Sequence, residues 1–264
     1  MGVLVQNAAY AIVVPLYLIM YLSTSPLMSS KCKGNFLIDT SDTAAIPISI
    51  ALGYVAPAIL MSLPAPSVID FQQKQTFMAI WQMFPLWVAI LQAVLPYLTA
   101  AFLQDRTLSS KSSHSFEMKV LRYIYVMLLV VAGIGQTSTA TLIASSKWFP
   151  DVFAPGFKGI FDFHKVFVPA AIYPSAMMPS IGSGALMLLQ YDELIGSTSM
   201  ALFATVMYIS ACQGIKTSRS VVSLVFQGLA IAIVTGPLGF AVACIWARDE
   251  IIVESDKGDV KKVD

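Results

Sequence analysis

Seven long runs without an ionisable side chain divide this chain of 264 residues. About 20 apolar residues cross the hydrocarbon of a bilayer as a helix, and every run is at least that long. The composition agrees, because 57% of the residues are hydrophobic and 12% are charged, against about 25% charged in soluble domains. The chain is therefore predicted to be an all-α integral membrane bundle of about seven transmembrane helices, at 1–30, 43–69, 75–104, 123–146, 166–191, 194–215 and 220–247.

Basic residues in the connections predict the orientation of this bundle. Seven spans would place ten Lys and Arg on one side and six on the other, whereas six spans would give eight on each. The positive-inside rule then favours seven spans with a cytosolic C-terminus. Residues 1–247 are predicted to form a single transmembrane domain, and the alternating charges of 248–264 predict a disordered cytosolic tail. The first run is too long, and lacks the basic residues, for a cleavable signal peptide.

The run at 166–191 leaves its own structure open. It contains Pro169, Pro174, Pro179 and Gly182, so it could form a kinked helix, a broken helix or a re-entrant loop. The connection before it, 147–165, is rich in aromatic residues, as expected of a segment at the membrane surface.

Asp192 and Glu193 are adjacent carboxylates between the fifth and sixth runs. Placing ionisable groups in a membrane costs free energy, so the pair is expected to have a structural or functional role there. One interpretation is that both cap the first turn of a sixth helix, where acids interact favourably with the helix dipole. The other is that one of them, kept protonated by burial, is a general acid. Consecutive residues of a helix point about 100° apart, so at most one would face a pocket squarely.

Aromatic and amide side chains follow the third run at helical spacing. Aromatic faces can stabilise a carbocation, which suits a pocket for a long polyprenyl substrate. The alternative is that the rings pack against other helices or face lipid. The candidate binding residues are Phe77, Trp81, Phe84 and Trp87 among the aromatics, and Gln75, Gln82 and, in the fourth run, Gln136 among the amides.

Three further ionisable residues are candidates for proton chemistry. Asp70 precedes the third run, but it could instead pair with Lys74 four residues later. Asp162 and His164 follow in the aromatic connection, where a single His is more often structural.

Motifs that would bind a metal or a nucleotide are missing from the sequence. There is no Asp-Asp-x-x-Asp cluster, no pair of His at metal spacing and no phosphate-binding loop. The three cysteines form no spaced motif, so neither a disulfide framework nor a metal site is predicted. A net charge of +1 gives no attraction to nucleic acid. An enzyme built on this chain is expected to use proton chemistry without a cofactor.

Three short segments carry a resemblance to a known family. They are Leu63-Pro-Ala-Pro-Ser67, Trp81-Gln-Met-Phe-Pro-Leu-Trp87 and Leu189-Gln-Tyr-Asp-Glu-Leu-Ile-Gly196. With about seven spans, the chain resembles the fungal membrane-bound terpene cyclases of the ascochlorin type, which act in meroterpenoid pathways and have relatives in indole-diterpene pathways. Pyripyropene-type cyclases share the chemistry, and the acids do not separate the two groups.

The resemblance implies a reaction, a location and a set of site residues. A prenylated aromatic would be cyclised in the endoplasmic reticulum membrane by protonating an epoxide or an olefin, and the reaction would end in deprotonation. Asp192 would be the proton donor, with Trp81, Gln82 and Tyr191 lining the pocket. The expected partners are this apolar substrate and membrane lipid.

Two other classes of protein stay open. One is a small transporter of a neutral, lipid-like metabolite, because every ionisable residue lies outside the runs and ion transport usually needs charges within them. The other is a non-catalytic membrane scaffold that gathers the enzymes of a pathway.

Overall fold

The computed structural model describes residues 4–5, 8–25, 40–103, 110–157, 159–171, 180–212 and 221–260. All regular secondary structure in these ranges is helical, which confirms the all-α class. A π-helix at Ala51–Val55 joins the second α-helix to the third, and short 3₁₀ turns follow the sixth. In chain order the α-helices are α1 Tyr10–Thr24, α2 Thr40–Ile50, α3 Ala56–Ser62, α4 Phe71–Gln82, α5 Phe84–Leu103, α6 Ser110–Trp148, α7 Phe163–Phe167, α8 Ile181–Cys212 and α9 Val221–Val260.

The chain divides into two compact units. Unit 1 comprises Met1–Asn7 and Lys33–Met127, and unit 2 comprises Ala8–Cys32 and Leu128–Asp264. Unit 1 therefore holds α2 to α5, and unit 2 holds α1, α7, α8 and α9, while α6 contributes residues to both.

In unit 1, α2 and the π-helix pack along α5. Gly53 makes this approach possible, because a Cβ at that position would lie 2.8 Å from Cγ2 of Val88. Small residues allow membrane helices to pack closely in this way. The buried Ser49 then reaches the neighbouring helix, and its Oγ donates to Oε1 of Gln92 at 3.0 Å.

The third predicted run is broken rather than merely kinked. A break at Met83 separates α4 from α5, and the two helices are bent by 57°. Pro85 explains the position, since its ring would clash with the carbonyl of Trp81 in a continuous helix and it has no N–H to donate. The indole Nε1 of Trp87 donates to the carbonyl of Ile80 at 2.9 Å, which satisfies a backbone acceptor at the break.

In unit 2, α8 packs against α1 and α9. The ring of Tyr21 on α1 meets Phe203 on α8 edge to face, with 5.6 Å between the ring centroids. Nearer the start of α1, the ring of Tyr10 lies directly on Gly196, where any Cβ would overlap it. A glycine at this one position lets the two helices come together.

Helix α9 has a sharp kink at Gly236, which has φ 71° and ψ 178°. This backbone conformation is essentially restricted to glycine. Pro237 follows and removes a further backbone donor. Oε1 of Gln136 on α6 lies 3.3 Å from the position that a Cβ on Gly236 would take, so the amide faces the kink.

The predicted boundary between the fifth and sixth runs is wrong. α8 continues without interruption from Ile181 to Cys212 through the carboxylate pair. It begins with a reciprocal cap, in which Oγ of Ser180 accepts from the N–H of Ser183 and Oγ of Ser183 accepts from the N–H of Ser180, both at 3.1 Å. No Gly or Pro lies between Gly184 and Gly196 to end the helix. Two acidic residues end a charge-free run, but they do not end a helix, because Asp and Glu are tolerated inside one.

The described part of the run before Ser180 does not belong to α8. It contains the end of α7 at Phe167 and a segment without regular structure at 168–171. Pro174 and Pro179 lie outside the described residues, as does Cys32.

Four helical segments of the described residues are long and apolar enough to cross a membrane. They are Asp42–Ser62, Met118–Trp148, Ile181–Cys212 and Phe226–Glu254. The bent pair of α4 and α5 makes a fifth if both halves form one span, and α1 is apolar but has only 15 residues. These helices fit a membrane protein, but the predicted number of seven is not confirmed.

The last helix does not end at Ala247, where the sequence predicts it to end. α9 continues to Val260. Arg248 and Asp249 are buried and form an ion pair of 2.8 Å, and the indole of Trp246 donates to Glu250 at 3.0 Å. Residues of alternating charge are compatible with a helix, so this pattern did not locate the end of α9. The division into a domain at 1–247 and a tail at 248–264 stays a prediction.

Candidate active site

Asp192 and Glu193 lie in the interior of α8 rather than at a helix end. Asp192 is the twelfth of the 32 residues of this helix, about 17 Å along a length of about 48 Å. The interpretation that both acids cap the first turn of a sixth helix is therefore wrong. An ionisable pair inside an apolar, membrane-length helix is costly and is often functional.

Asp192 has a backbone donor from a distant part of the chain. Its Oδ1 accepts a hydrogen bond of 2.7 Å from the N–H of Ala11, in the first turn of α1. The first N–H groups of a helix have no partner within the helix, and the helix dipole favours negative charge there. Asp192 therefore caps α1, whose own N-cap residue, Ala9, has no side chain that could do so.

Glu193 is more exposed than its neighbour and has no such cap to form. Tyr10 directly precedes Ala11, whose N–H donates to Asp192. Tyr10 in turn is seated on Gly196, one turn after Asp192. Unit 2 thus brings two carboxyl groups and a phenol together at the contact between α1 and α8.

The two residues before the pair hold the preceding segment against α8. Nε2 of Gln190 donates to the carbonyls of Lys165 and Val166 at 2.7 and 2.9 Å. The hydroxyl of Tyr191, a predicted pocket residue, donates to the carbonyl of Ala170 at 2.9 Å. These three bonds give the two polar side chains a structural role beside the acids.

The aromatic residues of the third run do not share one helix face, because the break at Met83 divides them. Phe77 and Trp81 belong to α4, whereas Phe84 and Trp87 belong to α5. A cluster still forms in unit 1: the rings of Trp81 and Phe84 lie 5.9 Å apart, and Tyr54 lies 4.9 Å from Phe84. Nε1 of Trp81 is buried without a hydrogen-bond partner among the described residues. Gln75 and Gln82 are exposed.

Asp70 is the N-cap of α4. Its Oδ1 accepts from the N–H of Gln73 at 2.7 Å, and Oε1 of Gln73 accepts from the N–H of Asp70 at 2.9 Å, which is a complete capping box. Lys74 instead donates to the carbonyl of Leu63 at 2.8 Å. A cap is thus the structural role that the residue has here, in place of the predicted pairing with Lys74.

The aromatic connection contains a second cap. Oδ1 of Asp162 accepts from the N–H groups of His164 and Lys165 at 3.0 and 3.4 Å and begins α7. The ring of His164 lies against Phe163, with 5.9 Å between centroids. The contact of His164 agrees with the structural interpretation that the sequence favours for it, and Asp162 has the structural role of a cap.

The sequence did not predict a cavity in unit 1, which is mostly apolar with a few polar side chains. It has a volume of about 500 Å³ and lies between α2 and α5. Gln92 could have signalled it, since this amide lies within a charge-free run in the same way as Gln82. The lining residues are Asp42, Ile46, Ser49, Ile50, Val88 and Gln92.

The fold and the site define a helical membrane protein with paired carboxyl groups inside an apolar helix. The chain belongs to the CtvD domain family, whose model matches residues 1–253. The resemblance read from the three short segments is thereby confirmed.

Similar proteins of known name are fungal terpene cyclases. Terpene cyclase ascI of Acremonium egyptiacum is 28% identical over 98% of this chain and 64% of its own length. Terpene cyclase verU1 of Penicillium polonicum is 28% identical over 78% of the chain and 52% of its length, and janA of Penicillium janthinellum is 26% identical over 91% and 59%. The chain thus spans between half and two thirds of the length of these relatives. No solved structure matches it.

Proposed function

We propose that this chain is a membrane terpene cyclase of secondary metabolism. Its substrate would be a prenylated aromatic of the meroterpenoid or indole-diterpene type, in the endoplasmic reticulum membrane. The observation that carries the proposal is the carboxylate pair inside α8, in a family whose compared members are named terpene cyclases.

We assign the two carboxyl groups different roles. The N–H of Ala11 and the positive end of α1 stabilise a negative charge on Asp192. Glu193 is then the member of the pair that holds and transfers a proton. A carboxylate fixed near a developing cation lowers the barrier to its formation, so Asp192 would stabilise the cationic intermediate.

The proposed reaction conserves atoms and electrons. The O–H bond of the Glu193 carboxyl breaks, and its proton bonds either to the epoxide oxygen or to a carbon of the terminal olefin. A C–O bond of the protonated epoxide then breaks, or the π pair of the olefin forms the new C–H bond, and either step leaves a carbocation. The π electrons of neighbouring double bonds then form the C–C bonds of the rings. The last cation loses a proton, which the Glu193 carboxylate accepts, so the product is an isomer of the substrate. Substrate binding by Phe77, Trp81, Gln82, Phe84 and Trp87 stays a prediction.

The test is an isomer assay in microsomes that contain the protein. Farnesyl and geranylgeranyl aromatics are supplied both as olefins and as terminal epoxides, and chromatography with mass spectrometry detects products of unchanged mass and shifted retention. Removing a general acid lowers rates about 10²- to 10⁴-fold, which is the loss expected for Glu193→Gln. Glu254→Gln, at an exposed acid on α9, is the matched control and should leave turnover unchanged.

The variants separate the assignments. If Asp192→Asn abolishes turnover while Glu193→Gln does not, Asp192 is the donor. If neither variant affects an isomer that the chain does form, the acid lies elsewhere and Asp70 is tested next. Transport of a prenylated compound into proteoliposomes without chemical change would support the transporter class instead.

A further inference from the structure

The cavity between α2 and α5 has a polar end and an apolar end. Asp42 lies in the first turn of α2, and Ile46 and Ile50 follow on the same helix face at intervals of four residues. From Asp42 to Ile50 this stripe runs about 12 Å along the helix. Val88 completes the apolar wall from α5, and Gln92 faces the polar end.

Gln92 is held in place by hydrogen bonds at both ends of its amide. Nε2 donates to the main-chain carbonyl of Asp42 at 2.7 Å, and Oε1 accepts from Oγ of the buried Ser49 at 3.0 Å. A primary amide has a second N–H, and its oxygen has a second lone pair. The orientation of Gln92 is thus set by the protein while hydrogen-bonding capacity is left for a ligand.

The cavity has the volume and lining of a small-molecule site. Ligand pockets are typically about 300–1,000 Å³, mostly apolar, with a few placed polar groups. Asp42 is also the first residue of a membrane-length apolar segment, Asp42–Ser62. A ligand with its polar end at Asp42 would extend its apolar part along Ile46 and Ile50, towards the middle of that segment.

We propose that this cavity binds an apolar molecule that ends in a hydroxyl group, such as a prenyl alcohol. The hydroxyl donates to the Asp42 carboxylate and accepts from the second N–H of Gln92, while Ile46, Ile50 and Val88 contact the chain of the ligand. This site is separate from the Asp192–Glu193 pair and does not rest on the proposed cyclase activity, because binding can be measured without turnover.

The test is photolabelling of the full chain in microsomes with a diazirine-bearing farnesol-type alcohol. Two probes of matched length are compared with it: its methyl ether, which cannot donate a hydrogen bond, and a straight-chain alcohol. Peptide mapping by mass spectrometry locates the label. We expect label on α2 and α5 with the alcohol, and about tenfold less with the ether, which is the cost of losing one hydrogen bond to a charged group.

Variants on one helix provide the controls. Ile46→Trp should fill the cavity and abolish labelling, whereas Ile48→Trp, at an exposed position of the same helix, should not. Asp42→Asn keeps the carbonyl that Gln92 binds and should reduce labelling by the alcohol but not by the ether. If Asp42→Asn fails to fold, Gln92→Leu is tested in its place. The buried hydroxyl of Ser49 keeps a hydrogen-bond partner in that variant, because its Oγ also donates to the carbonyl of Ala45 at 2.9 Å.

The outcomes are distinct. Equal labelling by alcohol and ether, label mapped outside α2 and α5, or labelling unaffected by Ile46→Trp would overturn the proposal. Preference for the prenyl alcohol over the straight-chain alcohol identifies an isoprenoid ligand, and equal labelling by these two identifies a membrane-lipid alcohol. If the protein forms an isomer but the alcohol does not label α2 and α5 specifically, only the cavity proposal is rejected. If the alcohol labels α2 and α5 specifically but no isomer forms, the binding site is supported and the cyclase activity is not.

Discussion

At the scale of single residues, the contact between α1 and α8 depends on Asp192 and Gly196. Asp192 supplies an acceptor for the N–H of Ala11 on α1, and Gly196 leaves room for the ring of Tyr10. The two residues are four apart, so they lie on one face of α8. Asp192 therefore has both a stabilising contact and a proposed role in the chemistry, which requires variants that separate the two.

Gly196→Ala should destabilise the protein by about 1–3 kcal/mol, because the new Cβ would overlap Cδ1 and Cε1 of Tyr10 and force the ring away. Thermal unfolding in detergent measures the change. Gly135→Ala is the control: no atom lies within 4 Å of its Cβ position, and alanine favours a helix by about 0.5–1 kcal/mol. An unchanged midpoint for Gly196→Ala would contradict the contact.

Asp192→Ala should cost about 0.5–2 kcal/mol, the usual cost of removing a helix cap, because the N–H of Ala11 loses its acceptor. Asp192→Asn keeps a side-chain oxygen and should recover most of this loss. The same unfolding assay compares the two variants. Equal stability of the alanine and asparagine variants would show that the hydrogen bond to Ala11 contributes nothing.

At the scale of elements, proline position and local capping decide where helices end. α4 and α5 are separated two residues before Pro85, and the carbonyl of Ile80 at the break accepts from both the N–H of Met83 and the indole of Trp87. α8 has no such residue near its carboxylates and passes through them. The charge-free runs therefore placed α4 and α5 in one predicted span and divided α8 between two predicted spans.

Proline scanning tests the continuity of α8. Leu194→Pro should cost about 3 kcal/mol or more, because position 194 is inside a helix, although its side chain is 49% exposed. Ile181→Pro is the control at the first position of the same helix, where proline is favoured, and its side chain is 95% exposed. If Leu194→Pro folds as well as Ile181→Pro, a helix does begin at 194.

The kink of α9 makes a separate prediction. Gly236→Ala should destabilise by about 1–3 kcal/mol, because alanine is strained at this backbone conformation, in which φ is 71° and ψ is 178°. Unfolding midpoints in detergent report the loss, again against Gly135→Ala. A midpoint at or above that of the parent chain would mean that α9 straightens without cost.

At the scale of the whole molecule, a single continuous α8 changes the expected topology. If 166–191 and 194–215 were two spans, the connections at 147–165 and 216–219 would lie on the same side of the membrane. If α8 is one crossing and the fifth run makes no separate one, the two connections would lie on opposite sides.

Cysteine accessibility distinguishes the two topologies. In a background with Cys32, Cys212 and Cys244 replaced by serine, Gly156→Cys and Thr217→Cys are treated with an impermeant maleimide on sealed microsomes. One position should react before detergent is added and the other only afterwards. Reaction of both under the same condition would restore the prediction of two spans, with permeabilised microsomes as the control for intrinsic reactivity.

Fold class and candidate acids could be predicted from the sequence because they depend on residue type and local order. Transfer of a side chain to a membrane has much the same cost whatever its distant neighbours, so charge-free runs indicated apolar helices and set Asp192 and Glu193 apart. Three short segments, together with the number and length of the apolar runs, indicated the family. The number of crossings was not predictable in the same way, because helix continuity depends on how each freed backbone group is satisfied.

Tertiary structure decided which groups meet. Asp192 accepts from Ala11, 181 positions away in the sequence, and Ser49 reaches Gln92 across 43. No spacing rule relates such residues, since two helices meet where side-chain shape, small residues and hydrogen-bond partners match. The sequence by itself therefore determined that the chain forms apolar helices and which acids they contain. Only the packing of those helices decided that one acid caps α1, and that Asp42 and Gln92 line a cavity.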